Sequence, residues 1–250
     1  MTTSKHLQPY LEALNKKVLI FDGAMGTNLQ LFNLTPDDFG GSNYVGCNDY
    51  LVIKNPKAIE KVHRSFLDVG VDVIETCTFR SNRITLAEYG LQDQVLEINK
   101  QAAKIARKLA DSYSIPEQPR FVAGAIGPSG KLLSMNDAEL SDITFDELLT
   151  VFEEQTKGLV SGGVDLILLE TQQDILEVKA AILGIKRALS AMKVDLPIQV
   201  QVTLDTTGRM LLGTDIGAVL TLSDRPKYPY RVLPATSQST SYLSPPDRDP

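Results

Sequence analysis

Residue types that often build functional sites are scarce in this 250-residue sequence, which has no tryptophan, two histidines and two cysteines. The cysteines, Cys47 and Cys77, are too few for a disulfide scaffold and indicate a reducing compartment, so we expect a cytoplasmic protein. No window approaches the roughly 20 apolar residues of a membrane span, and residues 1–17 lack an apolar core of signal-peptide length. Basic runs are missing and the net charge is −6, so we expect neither a nucleic acid nor a membrane as a partner.

The segment 18–30, VLIFDGAMGTNLQ, is the most informative part of the N-terminal region. Its four leading apolar residues do not alternate with polar ones, which predicts a strand buried on both faces. Gly23 and Gly26 permit a sharp turn and a close approach of the backbone to a ligand. Asp22 lies where the strand ends, and a carboxylate there needs a partner. Its side chain either caps the following turn or faces a ligand.

Further apolar runs predict four more buried strands, and each run is followed by a predicted helix. The runs are residues 71–76, Phe121–Ile126, 164–170 and 197–203. Strands that alternate with helices imply a parallel sheet. Polar side chains stand at most strand ends, namely Asp22, Glu75, Glu170 and Thr203. In an α/β barrel these ends carry the reactive face. A doubly wound open sheet is the alternative, although no GxGxxG follows the first strand.

Helices are predicted where apolar residues recur at helical spacing. Asn55 is expected to cap one helix, with Pro56 at its first position. The remaining helices are predicted over Leu7–Lys16, a long segment that ends near residue 111, residues 145–161, Ile175–Met192 and a segment that begins at 214.

The composition changes near residue 222, because residues 223–250 hold six of the thirteen prolines. Only residues 230–233 have the pattern of a short strand, and the rest is typical of a disordered tail. We therefore divide the chain into residues 1–222, an incomplete barrel domain, and residues 223–250, a divergent Pro-rich tail. The abrupt change favours a frameshift or an intron error after about Thr221 as the origin of the tail.

Six segments between residues 18 and 221 carry a family resemblance. They are FDGAMGTNLQ (21–30), GCNDYLVIKNP (46–56), DVIETCTFRSNRITLAEYGL (72–91), GAIGPSG (124–130), ILLETQQD (167–174) and VTLDTTGRMLLGTDI (202–216). In this order they resemble the homocysteine S-methyltransferase domain family, and most closely the homocysteine-binding module of cobalamin-dependent methionine synthase.

The resemblance implies a parallel (β/α)8 TIM-type barrel, here truncated after about five β/α units. It implies methyl transfer to the homocysteine thiol, giving methionine, with methylcobalamin as the donor. Homocysteine would be the substrate, and cobalamin- and folate-binding modules of methionine synthase would be the partners. In the family, two carboxylates help to hold the substrate ammonium, and they correspond to Asp22 and Glu170. The backbone amides of Gly23 and Ala24 would receive the substrate carboxylate.

The family also uses Zn²⁺, held by three cysteines, to make the thiolate that attacks the methyl donor. Those three cysteines are absent from this sequence, because neither Cys47 nor Cys77 matches a family ligand. We interpret both as ordinary buried residues, and His63 as a surface or packing residue. His6 is near the terminus, and Asp205 either caps a turn or lines the pocket. We therefore assign no metal ligand.

Without those ligands, we expect this chain alone to be inactive in methyl transfer. A non-catalytic amino-acid-binding remnant remains an alternative, as does an unrelated barrel hydrolase that uses Asp22 and Glu170 as acid and base. The lack of tryptophan and the sparse aromatic residues disfavour a sugar hydrolase. Thr78 and Asn82 are weaker candidates for contacts with the substrate.

Overall fold

The structure is a computed structural model that describes residues 7–137, 139–223 and 231–236. Strands and helices alternate along most of the chain. The strands are β1 (Val73–Glu75), β2 (Phe121–Ile126), β3 (Leu166–Gln172), β4 (Ile198–Leu204) and β5 (Arg231–Thr236). The helices are α1 (Leu7–Lys16), α2 (Met25–Gln30), α3 (Leu51–Lys54), α4 (Pro56–Asp68), α5 (Arg83–Ala87), α6 (Val95–Tyr113), α7 (Phe145–Gly162), α8 (Ile175–Met192) and α9 (Ile216–Ser223).

The five strands form one parallel sheet in the order β1-β2-β3-β4-β5. The sheet begins at a single parallel bridge between Phe21 and Val73, so segment 18–21 lies beside β1. Neighbours in sequence are neighbours in the sheet, as the crossover helices of a β/α barrel require. β5 overlaps residues 231–233 of the one tail segment predicted as a strand. Ser223 and residues 234–236 were predicted to belong to the disordered tail, but Ser223 ends α9 and residues 234–236 continue β5. The rest of the predicted tail, 224–230 and 237–250, lies outside the described part.

Segment 18–21 differs from the prediction of a strand buried on both faces. Only Phe21 makes a ladder contact, and Val18 and Ile20 are exposed while Leu19 is buried. The segment is at an edge of the described sheet, and its exposed side chains, Val18 and Ile20, have no neighbouring described element to cover them. β2, in contrast, is buried along its whole length, as predicted for a central strand.

Two apolar layers cover the sheet. On one face, side chains of β2, β3 and β4 pack with α6, α7 and α8 in the largest core cluster. On the other face, Val73, Phe121 and Leu168 cluster with α1. Tyr10 of α1 packs edge-on against Phe121, and its hydroxyl donates a hydrogen bond of 3.1 Å to Gln199 Oε1. Helix α1 therefore covers the face of the sheet that is opposite α6, α7 and α8.

Local chemistry explains several helix boundaries. The Thr144 side chain accepts a hydrogen bond from the Glu147 amide and Glu147 bonds back to Thr144, a capping box that begins α7. Asp174 accepts from the Leu176 amide at the start of α8. Pro56 is at the first position of α4, as predicted. Asn55 is the N-cap residue of α4, as predicted, but its side chain makes no capping hydrogen bond, because the Asn55 amide group donates to Asp38 instead.

Among the helices that the structure describes, none combines the length and the apolar character needed to span a bilayer.

Candidate functional site

A cavity of about 300 Å³ opens at the carboxyl ends of segment 18–21, β1 and β3. We call it the strand-end cavity. Its lining includes the predicted site residues Asp22, Gly23, Ala24 and Glu170, together with Glu75 at the end of β1. The structure thus brings all four predicted residues to one place. Its volume is at the lower end of the range for small-molecule sites, which suits an amino acid.

Asp22 is held by the neighbouring strand. Its Oδ1 accepts a hydrogen bond of 3.0 Å from the Glu75 amide, and its side chain is 2% exposed. The side chain therefore ties segment 18–21 to β1 and does not cap the turn that follows. The pKa of Asp22 is raised to about 8, chiefly by burial; the hydrogen bond from the Glu75 amide opposes this rise, and the charge of nearby Glu170 adds to it.

A break in β3 positions Glu170. The pairing register of β3 with β4 shifts between Leu169 and Gln172, and Thr171 has φ of +59°, which is unusual for a residue other than glycine. Irregularities of this kind redirect side chains near binding sites. Burial raises the pKa of the Glu170 carboxyl above its usual range.

Glu75 is a third carboxylate of the cavity. The sequence placed an acid at this strand end but contained no feature that assigned it to the substrate site. Burial raises the pKa of Glu75, and the neighbouring Glu170 and Asp22 raise it further. Among the described residues, no hydrogen bond or ion pair reaches the Glu75 carboxylate.

The turn after Asp22 supplies free amide donors. Gly23 and Ala24 line the cavity, and neither backbone N–H donates to another described backbone group. Both residues are exposed, so these amides are accessible to solvent and to a ligand. The expectation that Gly23 and Ala24 receive the carboxylate of the substrate stays a prediction.

His63 lies next to Asp22. The sequence predicts a surface or packing residue at this position and does not connect it with the site. It is fully buried on α4, with Nδ1 at 4.0 Å from Asp22 Oδ2 and with no hydrogen-bond partner for either ring nitrogen. The surface interpretation is therefore wrong, and the packing interpretation is confirmed. Burial lowers the pKa of His63 to about 4. Helical periodicity could place this residue on an inner face but could not show its distance from Asp22.

Other weaker candidates have structural partners. Thr78 donates a hydrogen bond of 2.7 Å to the Ala125 carbonyl, and Asn82 caps α5. The Asp205 side chain accepts from the Thr207 and Arg209 amides, so it caps a turn and is absent from the cavity lining. His6 lies outside the described residues.

The cysteines do not form a metal site. Cys47 and Cys77 are both free and buried, as predicted, and Cys77 also lines the strand-end cavity. Burial raises the pKa of Cys47 to about 12 and that of Cys77 well above its usual value, so both are thiols at neutral pH in the metal-free chain. Within the described ranges, no three side chains of His, Cys, Asp or Glu are arranged to hold one metal ion. These residues therefore do not fit the zinc site that the resemblance implies.

Comparison with known proteins identifies the family. Residues 19–234 match the homocysteine S-methyltransferase family. Methionine synthase from Mycobacterium tuberculosis is 40% identical over 219 residues, which are 87% of this chain and 18% of that protein. Methionine synthase from Mycobacterium leprae is 40% identical over 210 residues, 84% of this chain and 17% of that protein. The chain thus spans less than a fifth of the length of these two relatives.

Solved structures agree on the fold. The homocysteine methyltransferase MmuM from Escherichia coli, in its metallated form, superposes with a TM-score of 0.70 at 20% identity, covering 91% of this chain and 87% of that one. Its oxidized form gives a TM-score of 0.70 at 21% identity, covering 88% and 75%. Since the family match extends over most of the sequence, this chain belongs to the homocysteine S-methyltransferase family.

Proposed function

We propose that this chain binds homocysteine in the strand-end cavity as the substrate-binding part of a methyl transfer that yields methionine. The observation that carries the proposal is the meeting of Asp22, Glu170 and the Gly23–Ala24 turn in one cavity of a family member. Asp22 and Glu170 would hold the ammonium group, and the two free amides would hold the carboxylate. The ammonium group of the ligand would thus contact the two carboxylates, and the ligand carboxylate would contact the backbone amides.

Methylcobalamin is the donor that we propose for the complete reaction, and cobalamin- and folate-binding modules are the partners. Similarity to two methionine synthases supports this part of the proposal. A cytoplasmic location also belongs to it, supported by two free cysteines. In the family, zinc supplies the thiolate; the described residues do not fit that ion, so we derive no step through it.

The binding claim is tested by calorimetric titration of the 250-residue chain with L-homocysteine under reducing conditions. We expect saturable binding that Asp22→Asn weakens at least ~10-fold, the size expected for a hydrogen bond to a charged group. Asp37→Asn changes an exposed carboxylate outside the cavity and is the matched control. Equal affinities for wild type and Asp22→Asn would show that the ligand binds elsewhere.

Catalytic competence is tested separately. The purified 250-residue chain is incubated with homocysteine and methylcobalamin, with and without added zinc, and methionine is measured. We propose that the chain alone forms no methionine, since its sequence offers only Cys47 and Cys77 and both are buried. Zinc-dependent methionine formation would contradict this part of the proposal and leave the binding claim intact.

A further inference from the structure

Four carboxylates line the strand-end cavity: Asp49 accepts a hydrogen bond from the Arg80 amide, and no cation among the described residues neutralises the other three. Asp22, Glu75 and Glu170 all line its wall. Among the described residues, no ion pair reaches Glu75 or Glu170, and the one contact of Asp22 with a basic side chain is that with His63 at 4.0 Å. The arrangement therefore concentrates negative charge in a small volume.

The other titratable groups around the cavity do not supply the missing positive charge. Arg80 lines the cavity, but its guanidinium donates to both carboxylate oxygens of Glu88, at 2.7 and 2.8 Å. His63 is neutral at pH 7, because burial lowers its pKa to about 4. The remaining titratable groups of the lining are Asp49 and Cys77, and neither has a cationic form.

Three adjacent buried carboxylates cannot all be ionised without a counter-charge, because like charges at close range repel and burial removes their hydration. The cavity must therefore hold protons when it holds no ligand. Burial is the largest cause of the raised pKa of all three groups, and repulsion adds to it for two of them: from Glu170 at Asp22, and from Glu170 and Asp22 at Glu75. The carboxylates are also not arranged to hold one metal ion, so a proton or an organic cation is the expected counter-charge.

We propose that Glu75 is a third carboxylate of the amine-binding site, and that the cavity takes up the ammonium group of an amino acid in exchange for a proton. This inference rests on the proposed function, since it concerns the same site. No covalent bond forms or breaks. The ligand enters as an ammonium ion, one carboxylic acid group of the cavity ionises to pair with it, and the released proton passes to the solvent.

The exchange has a consequence for specificity. A ligand with a primary ammonium provides a positive charge and donors for more than one carboxylate. A ligand whose amine is acetylated provides no charge and therefore no reason for the cavity to ionise. We expect the cavity to discriminate strongly against N-acetylated amino acids, even when the side chain is unchanged.

The test is calorimetric titration of the 250-residue chain with L-methionine at pH 7, in buffers with different heats of ionisation such as phosphate and Tris. Methionine has no thiol, so a released proton comes from the protein. The dependence of the observed heat on the buffer gives the number of protons released, and we expect about one for wild type. The Kd of methionine for wild type should fall by up to about tenfold for each unit by which the pH rises between pH 6 and 7. Carboxylates of ordinary pKa would give a Kd that stays constant over this range.

Two variants isolate the role of Glu75. Glu75→Gln removes a carboxylic acid that can ionise to pair with the ammonium group, so the variant should release less than half as much proton on binding as wild type. Glu117→Gln, at an exposed loop position, should release as much as wild type. N-acetyl-L-methionine should bind at least tenfold more weakly to wild type.

Each result has a distinct meaning. Binding of methionine without proton release by wild type would overturn the exchange while leaving homocysteine binding possible. Equal proton release by Glu75→Gln and wild type would overturn the role of Glu75. If neither homocysteine nor methionine binds to folded wild-type chain, the proposed function fails and this inference fails with it. The wild-type measurement decides the exchange even if Glu75→Gln does not fold.

Discussion

Replacing Asp22 by asparagine should stabilise the protein, and the gain should grow with pH. Burial raises the pKa of Asp22 to about 8, so the folded chain keeps a proton that the unfolded chain releases above about pH 4. Unfolding therefore becomes easier as the pH rises through this range, since the unfolded state binds fewer protons. The asparagine side chain of the variant has no such proton to lose, and its oxygen can still accept from the Glu75 amide.

The magnitude follows from the same shift. Each pH unit between the two pKa values changes the free energy of unfolding by up to about 1.4 kcal/mol. Between pH 5 and pH 7.5 the stability of Asp22→Asn relative to wild type should thus rise by up to about 3.5 kcal/mol, an upper bound because Asp22, Glu75 and Glu170 share protons.

Urea denaturation followed by circular dichroism, at pH 5 and pH 7.5, measures this difference. Asp37→Asn alters an exposed carboxylate, and its effect should be the same at both pH values. If the free energy of unfolding changed with pH equally in Asp22→Asn and wild type, this prediction would be wrong, since Asp22 would then not be held in a protonated, buried state. A stabilised variant that no longer binds homocysteine would also exclude misfolding as the cause of lost binding.

Three further substitutions test the packing around the site. Gly184→Ala would place a Cβ 2.4 Å from the Leu149 carbonyl oxygen, where α7 packs against α8. We therefore expect urea unfolding to show a destabilisation of about 2–3 kcal/mol. A loss of less than about 0.5 kcal/mol would contradict this packing. Thr144→Ala removes the capping box of α7 and should lower the free energy of unfolding by about 1 kcal/mol in the same assay. An unchanged free energy of unfolding would show that the cap does not stabilise the helix. Gly127→Ala would place a Cβ 2.5 Å from the Phe79 carbonyl oxygen in the cavity wall, so it should weaken homocysteine binding, measured by calorimetry, more than Gly184→Ala does.

The sequence predicted most of the fold because local signals and tertiary packing agree there. Both ends of α8 match the prediction, since Asp174 caps its start and Lys193 adopts the left-handed conformation that ends it. The bounds of β2 match as well, because a continuous apolar run is what a central strand requires. Segment 18–21 has a similar run but lies at an edge of the described sheet, and no pattern in the run itself distinguishes the two environments.

The site was predicted in part. Asp22 and Glu170 each follow a buried run, and parallel strands place such residues at one edge, but the family resemblance singled out these two as substrate-binding residues. Glu75 satisfied the same rule, but its role depends on the lack of a counter-charge, which only the three-dimensional arrangement shows. The position of His63 against Asp22 joins α4 to segment 18–21 and has no signal in either segment alone.

A crystal structure of the 250-residue chain with L-homocysteine bound would test the proposed site most directly. We expect the ligand to occupy the strand-end cavity, with its ammonium nitrogen within about 3.2 Å of carboxylate oxygens of Asp22 and Glu170. The ligand carboxylate should accept hydrogen bonds from the Gly23 and Ala24 amides. A ligand bound outside this cavity, or one whose ammonium group points away from both carboxylates, would contradict the central claim.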